Sequence, residues 1–435
     1  MSAKPEAPGS QQKRLAAYLD RLAQAAGHAD RIGPLKSYCT GLLLPGERKS
    51  VEPMAARLAP DNVARMHQSL HHFVAQAPWS DQALLESVRE YALPAMKQNG
   101  PVVAWIVDDT GFVKKGTHSV GVARQYCGQV GKQENCQVAV SLSVATNEAS
   151  LPIAWRLYLP ESWASDPERR QATGVPDQIA FQTKPAIALG QIRQTVEDGV
   201  PAGVVLADAA YGSDNQFRAG IRELGLRYVL GVQGTMTVWR PGQGPRPTKR
   251  GKRQRRPPLE APPQPVSLKQ LAVELPDGAW KTVTWREGTQ KELQSRFAVR
   301  RVRPAHRDSW RQQAPPEEWV LMEWPDGESE PTKYWISSLP AMTQRKKLVA
   351  LAKHRWIIER DYEELKQELG LGHYEGRGWR GFHHHATLCI AAYGFLVAER
   401  SRFSPSRHAA GLGLRPPRIP PDYQPRGSPR AGRAA

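Results

Sequence analysis

The stretch VVAWIVDDTG at 102–111 decides the fold. Val102 to Val107 is an unbroken apolar run, the pattern of a strand buried on both faces. It closes on Asp108-Asp109-Thr110-Gly111, so a central strand is expected to carry acid at its C-terminal end. A second run with the same ending, GVVLAD at 203–208, closes on Asp208. Ligands of open α/β sheets gather at the carboxyl ends of the strands, and two adjacent strands ending this way would bring their aspartates together.

Around these two runs the elements alternate. Val138–Ala145 (VAVSLSVA) and Leu151–Leu159 read as strands, and Gln182–Val200 as a helix. After Asp208 come a helix over Ser213–Leu224 and a strand over Arg227–Val232. Three strands, helix, strand, helix, strand means hairpins followed by crossovers, hence a mixed sheet with helices packed on it.

Upstream, residues 1–100 are expected to be helical. Gln12–Ala26 has helical composition, Ala59–Ala77 places Val63, Met66, Leu70, Phe73 and Val74 at helical spacing, and Ser80 caps a helix stopped at Pro94. A short basic turn, Gly46–Ser50, separates the first two. This module is either a DNA-binding domain or a cap on the core.

Downstream, Thr235–Val266 is rich in Pro and Gly and holds Arg240, Arg246, Lys249, Arg250, Lys252, Arg253, Arg255 and Arg256, the composition of a basic loop. Short strands at Lys281–Trp285, Arg296–Val302, Glu318–Trp324 and Lys333–Ser337 suggest an inserted β-rich subdomain. Lys353–Gly372, KHRWIIERDYEELKQELGLG, reads as one amphipathic helix ended by Gly370 and Gly372. Trp356, Ile357, Leu365 and Leu369 form its apolar stripe, while Arg355, Glu359, Tyr362 and Lys366 share a second face. Ala386–Glu399 is a further apolar helix, and Pro405–Ala435 a disordered basic tail. The organisation is therefore 1–100 helical, 101–234 first part of an α/β core, 235–340 loop and β-rich insertion, 341–400 second part of the core, and 401–435 tail.

Among 435 residues, 60 Lys and Arg stand against 42 Asp and Glu, a formal charge of +18 that favours a polyanionic partner such as nucleic acid. No apolar run is long enough to span a membrane, and the N-terminus lacks the apolar core of a secretory signal. Cys39, Cys127, Cys136 and Cys389 form no CxxC pair, which fits a reducing cytoplasm. Cys127 and Cys136 would need two more ligands for zinc. The run His383-His384-His385, beside Trp379-Arg380-Gly381, reads as a DNA-contacting or plain surface loop.

The chemistry lies in three acids. Two strand-end aspartates and Glu359 on a helix packed against the sheet would repel one another unless cations stood among them. Hard divalent ions such as Mg²⁺ prefer carboxylate oxygen, and a pair of them serves phosphodiester displacement.

The segments IVDDTGFVKKG (106–116), VVLADAAYGSDNQFR (204–218) and HRWIIERDYEELK (354–366) resemble those of the DDE transposases of bacterial insertion sequences. The resemblance is closest to the group with a β-rich insertion before the last acid, and it runs from about Leu35 to about Ala398. It implies an RNase H-like α/β fold, a mixed sheet flanked by helices with an N-terminal helical domain and the inserted subdomain. It also implies catalytic, metal-holding roles for Asp109, Asp208 and Glu359 with two Mg²⁺ ions, for which Mn²⁺ substitutes. Arg355 and Lys366 match two positions of the family's signature helix and would contact phosphate, but its tyrosine position is Ala352, so Tyr362 is a candidate replacement. Asp109 is preferred to Asp108 because the family's first acid directly precedes Thr or a similar small residue, which would turn Asp108 to the other side of the strand. Lys114 and Lys115 are further phosphate candidates or plain surface lysines. Trp324 and Trp335 are candidates for stacking on a base, or core residues. The implied partners are double-stranded DNA, as transposon ends and target, and further copies of the chain in a dimer or larger complex. The implied activity is excision and strand transfer. A non-catalytic DNA-binding regulator and a nuclease without strand transfer are the alternatives.

Overall fold

The apolar run at 102–107 does form a strand, but the strand continues through both aspartates. In the computed structural model, which describes residues 8–244, 264–287, 292–305 and 316–403, β1 spans Ala104–Val113. β2 (Ala123–Cys127) and β3 (Lys132–Ala145) form a hairpin, and β4 (Ser150–Leu157) follows. β3 pairs antiparallel with β1 along its whole length, from Ala104↔Ala145 to Val113↔Cys136, which is why β1 extends past Val107.

On its other edge β1 pairs with β5 (Val204–Ala207), in parallel, and the last pair is Ile106↔Leu206. β6 (Tyr228–Val232) pairs in parallel with β5. Between β4 and β6 lie the helices α6 (Glu161–Ala164), α7 (Pro167–Thr173), α8 (Lys184–Glu197), α9 (Ala209–Gly212) and α10 (Asn215–Glu223), bracketing β5. The expected order of strands and helices is thus present, with the hairpin strand β2 added. The chain is a mixed α/β structure, an RNase H-like sheet flanked by helices.

The strands expected to form an inserted subdomain extend this same sheet. β7 (Thr237–Trp239), β8 (Val266–Ser267), β9 (Lys281–Glu287), β10 (Glu292–Pro304), β11 (Glu318–Trp324) and β12 (Lys333–Ser337), with α11 (Leu268–Val273), follow β6 in the chain. β12 pairs antiparallel with β6, from Tyr334↔Val232 to Ser337↔Val229. The sheet order is β2-β3-β1-β5-β6-β12-β11-β10-β7-β8, with β4 on β3 and β9 on β10. The basic run from Arg246 to Arg256 and the tail from Pro405 lie outside the described residues.

Two layers of side chains leave β1. Trp105 and Val107 share a core with Ile187, Ala188 and Ile192 of α8. Ala104 and Ile106 share another with Leu206 of β5 and with α12 (Arg345–His354) and α13 (Ile357–Gln367), through Leu348, Ala352, Ile357 and Ile358. α12 and α13 replace the single helix expected over Lys353–Gly372. Trp356 N–H bonds the Lys353 carbonyl, Ile358 N–H that of Arg355 and Glu359 N–H that of Trp356. These i→i−3 bonds tighten the chain locally and break the α-helical ladder without any proline or glycine.

The amino-terminal part is helical as expected, in five helices: α1 (Pro8–Ala25), α2 (Ala29–Leu43), α3 (Val51–Leu58), α4 (Val63–Ala75) and α5 (Asp81–Lys97). α2 contains Gly33, Pro34 and Gly41, residues that read as breakers in sequence, and α5 runs through Pro94 instead of stopping there. These helices pack around α14 (Trp379–Arg402), which is buried along nearly all its length. Tyr18 Oη donates to the Ala391 carbonyl at 2.7 Å, and Arg14 pairs with Glu399 at 2.7 Å.

Candidate active site

Asp108 and Asp109 leave β1 on opposite faces, and the faces are the reverse of those expected. Asp108 continues the Ala104–Ile106 side, toward α12 and α13, and its Oδ2 accepts a hydrogen bond from Arg355 Nη1 at 2.8 Å. Asp109 continues the Trp105–Val107 side. Its Oδ2 meets Lys184 Nζ of α8 at 2.8 Å and Tyr211 Oη at 3.4 Å. Strand alternation then requires the Glu359-bearing helix to see Asp108 and not Asp109.

Asp208 falls on the same side as Asp108. Leu206 shares the core of Ile106, and two residues beyond that pair stand Asp108 in β1 and Asp208 just past the end of β5, where Asp208 lines one cleft with Leu206 and Arg355. Asp208 also caps α9, its Oδ1 accepting from Ala210 N–H at 2.9 Å. The turn is packed tightly onto β6: a Cβ on Gly212 would fall inside contact distance of the Gly231 carbonyl oxygen, so this approach needs glycine.

The break between α12 and α13 aims the second face of the signature helix. Arg355 reaches Asp108, and its Nη2 lies 3.9 Å from Glu359 Oε1. Tyr362 Oη bonds Ser141 Oγ, and Ser141 is the β3 residue opposite Asp108. Lys366 Nζ donates to the Gly111 carbonyl at 3.1 Å and lies over the Phe112 ring. Thus Arg355, Tyr362 and Lys366 all dock on β1 and β3, while the Glu359 side chain is 68% exposed.

Asp208, Arg355 and Glu359 line one cleft of about 390 Å³, with Lys333, Trp335 and Trp356. Ala352, at the signature tyrosine's position, lines it too. Asp108 sits behind Arg355, its side chain 17% exposed. Burial pushes the Asp108 carboxyl up to about 7; Arg355 opposes that rise, and Asp208 and Asp109 add to it. The donor set, three carboxylates, suits a hard divalent cation. Among the described residues, however, no three acidic, His or Cys side chains stand close enough to hold one as placed. The Arg355 guanidinium fills the space beside Asp108.

The other expected contacts divide. Lys114 Nζ is taken up by the Tyr374 carbonyl at 3.0 Å, whereas Lys115 is exposed. Trp335 is at the cleft; Trp324 is away from it, its Nε1 donating to the Glu328 carbonyl at 2.8 Å. The His383–His385 run is no surface loop: all three are buried in α14. His383 Nε2 accepts from Leu157 N–H, and His384 stacks on Trp79 at 3.6 Å. The apolar residues on both sides, from Trp379 to Ile390, continue the helix through the run. Ser141 and Lys353 are site neighbours that no sequence motif singles out, and neither does one single out Lys184, the partner of Asp109 on the opposite layer.

The sequence model of the DDE superfamily endonucleases matches residues 21–292, more than half of the chain. The chain belongs to this family. The matched stretch includes β1 and Asp208 and ends before α12, so Glu359 lies outside it. Over 188 residues the chain is 32% identical to the probable transposase for insertion sequence element IS701 of Microchaete diplosiphon. That alignment covers 43% of this chain and 45% of the relative, so the chain spans less than half the length of the curated protein it matches. The resemblance to insertion-sequence DDE transposases holds at the level of the family. Among the described residues no helix is long and apolar enough to cross a membrane.

Proposed function

We propose that the protein is an insertion-sequence transposase that binds the element's terminal inverted repeats, cuts phosphodiester bonds there and joins the 3′ ends to target DNA. The observation that carries this reading is the shared face of Asp108, Asp208 and the Arg355–Glu359 turn at the end of the β1–β5 pairing. We assign the first catalytic acid to Asp108, since Asp109 is held by Lys184 on the opposite layer.

Asp108, Asp208 and Glu359 would hold two Mg²⁺ ions, or Mn²⁺ in their place. Bound there, the ions supply activation of the attacking oxygen and stabilisation of the leaving one. Arg355 pairs with Asp108 and is placed to bind a phosphate bidentately beside it. Glu359, exposed beside it, is free to turn inward. Lys115 and Trp335 are the remaining surface contacts for DNA, while Lys366, Lys114 and Tyr362 act by fixing α13 and the following loop against the sheet. Duplex DNA as ends and target, and a dimer or larger assembly to pair two ends, complete the reading.

The test uses labelled duplex carrying the element's own end, with Mg²⁺ or Mn²⁺. Cleavage and joining by the wild type that vanish in Asp108→Asn and Asp208→Ala, with DNA binding retained, support the assignment. Cleavage without a joined product points to a nuclease. Binding without cleavage by any protein points to a regulator, a reading that Ala352 leaves open.

A further inference from the structure

The tight turns at Arg355–Trp356 have poor hydrogen-bond geometry, so contacts from outside must hold this break in place. Besides the bond from Arg355 to Asp108 of β1, two such contacts come from strands lying between Asp208 and Glu359 in sequence. On the N-terminal side, Lys353 Nζ pairs with both Glu323 oxygens of β11, at 2.7 and 2.6 Å. On the other side, the Arg286 guanidinium of β9 lies 3.7 Å from the centre of the Trp356 ring. Trp356 and Lys353 together form the wall between the acid-lined cleft and a neighbouring cleft of about 540 Å³. Arg286 is itself exposed, so core packing does not account for where it sits, and among the described residues no carboxylate pairs with it.

We infer that Arg286 is a positioning residue for the reaction, pinning Trp356 so that Arg355 faces β1 and Glu359 lines the cleft with Asp208; this rests on the function proposed above. A planar guanidinium stacks on an indole face and holds it in one rotamer. Releasing Trp356 frees the turn whose two ends carry Arg355 and Glu359. The strands inserted before Glu359 thereby set the geometry of the cleft without lending it a reacting group.

The experiment compares full-length wild type, Arg286→Ala and Arg286→Lys by hydrogen exchange over residues 355–359, by single-turnover nicking and by DNA affinity. Arg286→Ala is expected to speed exchange in that segment and to slow nicking about two- to fivefold at unchanged affinity, and Arg286→Lys to recover part of both. Wild-type exchange and nicking in Arg286→Ala would overturn the inference. So would a loss confined to affinity, which would make Arg286 an ordinary DNA contact. If the wild type itself does not nick, the proposed function fails, and exchange alone decides whether Arg286 holds the break.

Discussion

Asp108 and Arg355 are 247 positions apart in sequence and 2.8 Å apart in space. Their bond ties the central strand to the turn before Glu359, and it separates the two adjacent aspartates into different surroundings. Replacing each by asparagine makes the distinction measurable. Asp108→Asn is expected to lower metal-dependent cleavage by roughly a thousandfold, the scale of a lost metal carboxylate, and Asp109→Asn by no more than about tenfold. The reverse ranking would return the catalytic role to Asp109.

Lys353 and Glu323 form a buried pair, enclosed by Trp285 at 4.4 Å, Trp335 at 5.5 Å and Phe297 at 5.6 Å from the ammonium. Removing one partner leaves the other charge uncompensated. Glu323→Ala is therefore expected to destabilise the fold by about 3–5 kcal/mol in urea unfolding. Lys353→Met combined with Glu323→Gln should recover most of that loss.

His385 donates through Nε2 to the Gly370 carbonyl and accepts at Nδ1 from Tyr38 Oη, an arrangement that fits the neutral ring. Burial holds its folded pKa down to about 4, against an ordinary 6.5. Between those values the unfolded chain takes up a proton that the folded one refuses. The resulting stability is complete above about pH 6.5 and is lost as pH falls toward 4, by about 3 kcal/mol for this one ring. Unfolding free energies measured from pH 7.5 down to 4.5 should show the fall, and His385→Gln should make it shallower, leaving the share of His383 and His384, which burial also holds low. A slope that is the same in both proteins would assign the acid sensitivity elsewhere.

Gly212 follows the Asp208 cap and lies against the Gly231 backbone. Gly212→Ala must push α9 off β6, with an expected destabilisation of about 1–3 kcal/mol and a larger fall in cleavage than in DNA binding. Unaltered cleavage would mean that Asp208 tolerates movement of its turn.

Much of this was readable in the chain, and what was not has physical causes. VVAWIV and GVVLAD were legible as buried strands because an apolar run that ends in acid fits little else. Which aspartate faces α13 was not legible: Ala104 and Ile106 on one side are as apolar as Trp105 and Val107 on the other, so alternation carries no polarity signal. α2 was hidden by Gly33, Pro34 and Gly41, which tertiary packing against α14 overrides. The break at Arg355–Trp356 has no local marker, because it is imposed by Asp108, Glu323 and Arg286 from distant strands. The four short strands after Lys281 were legible as strands, but the sheet they join is settled by the pairing of Ser337 with Val229, a long-range contact.

That pairing gives the segment after β6 a protective task. Were the chain cut back to end near β6, the whole edge from Val229 to Val232 would present unpaired N–H and C=O groups next to an apolar surface. Such an open edge recruits strands from neighbouring molecules. Deletions within 264–337 should therefore yield aggregates rather than a smaller working enzyme, and the insertion cannot be trimmed as a surface loop can.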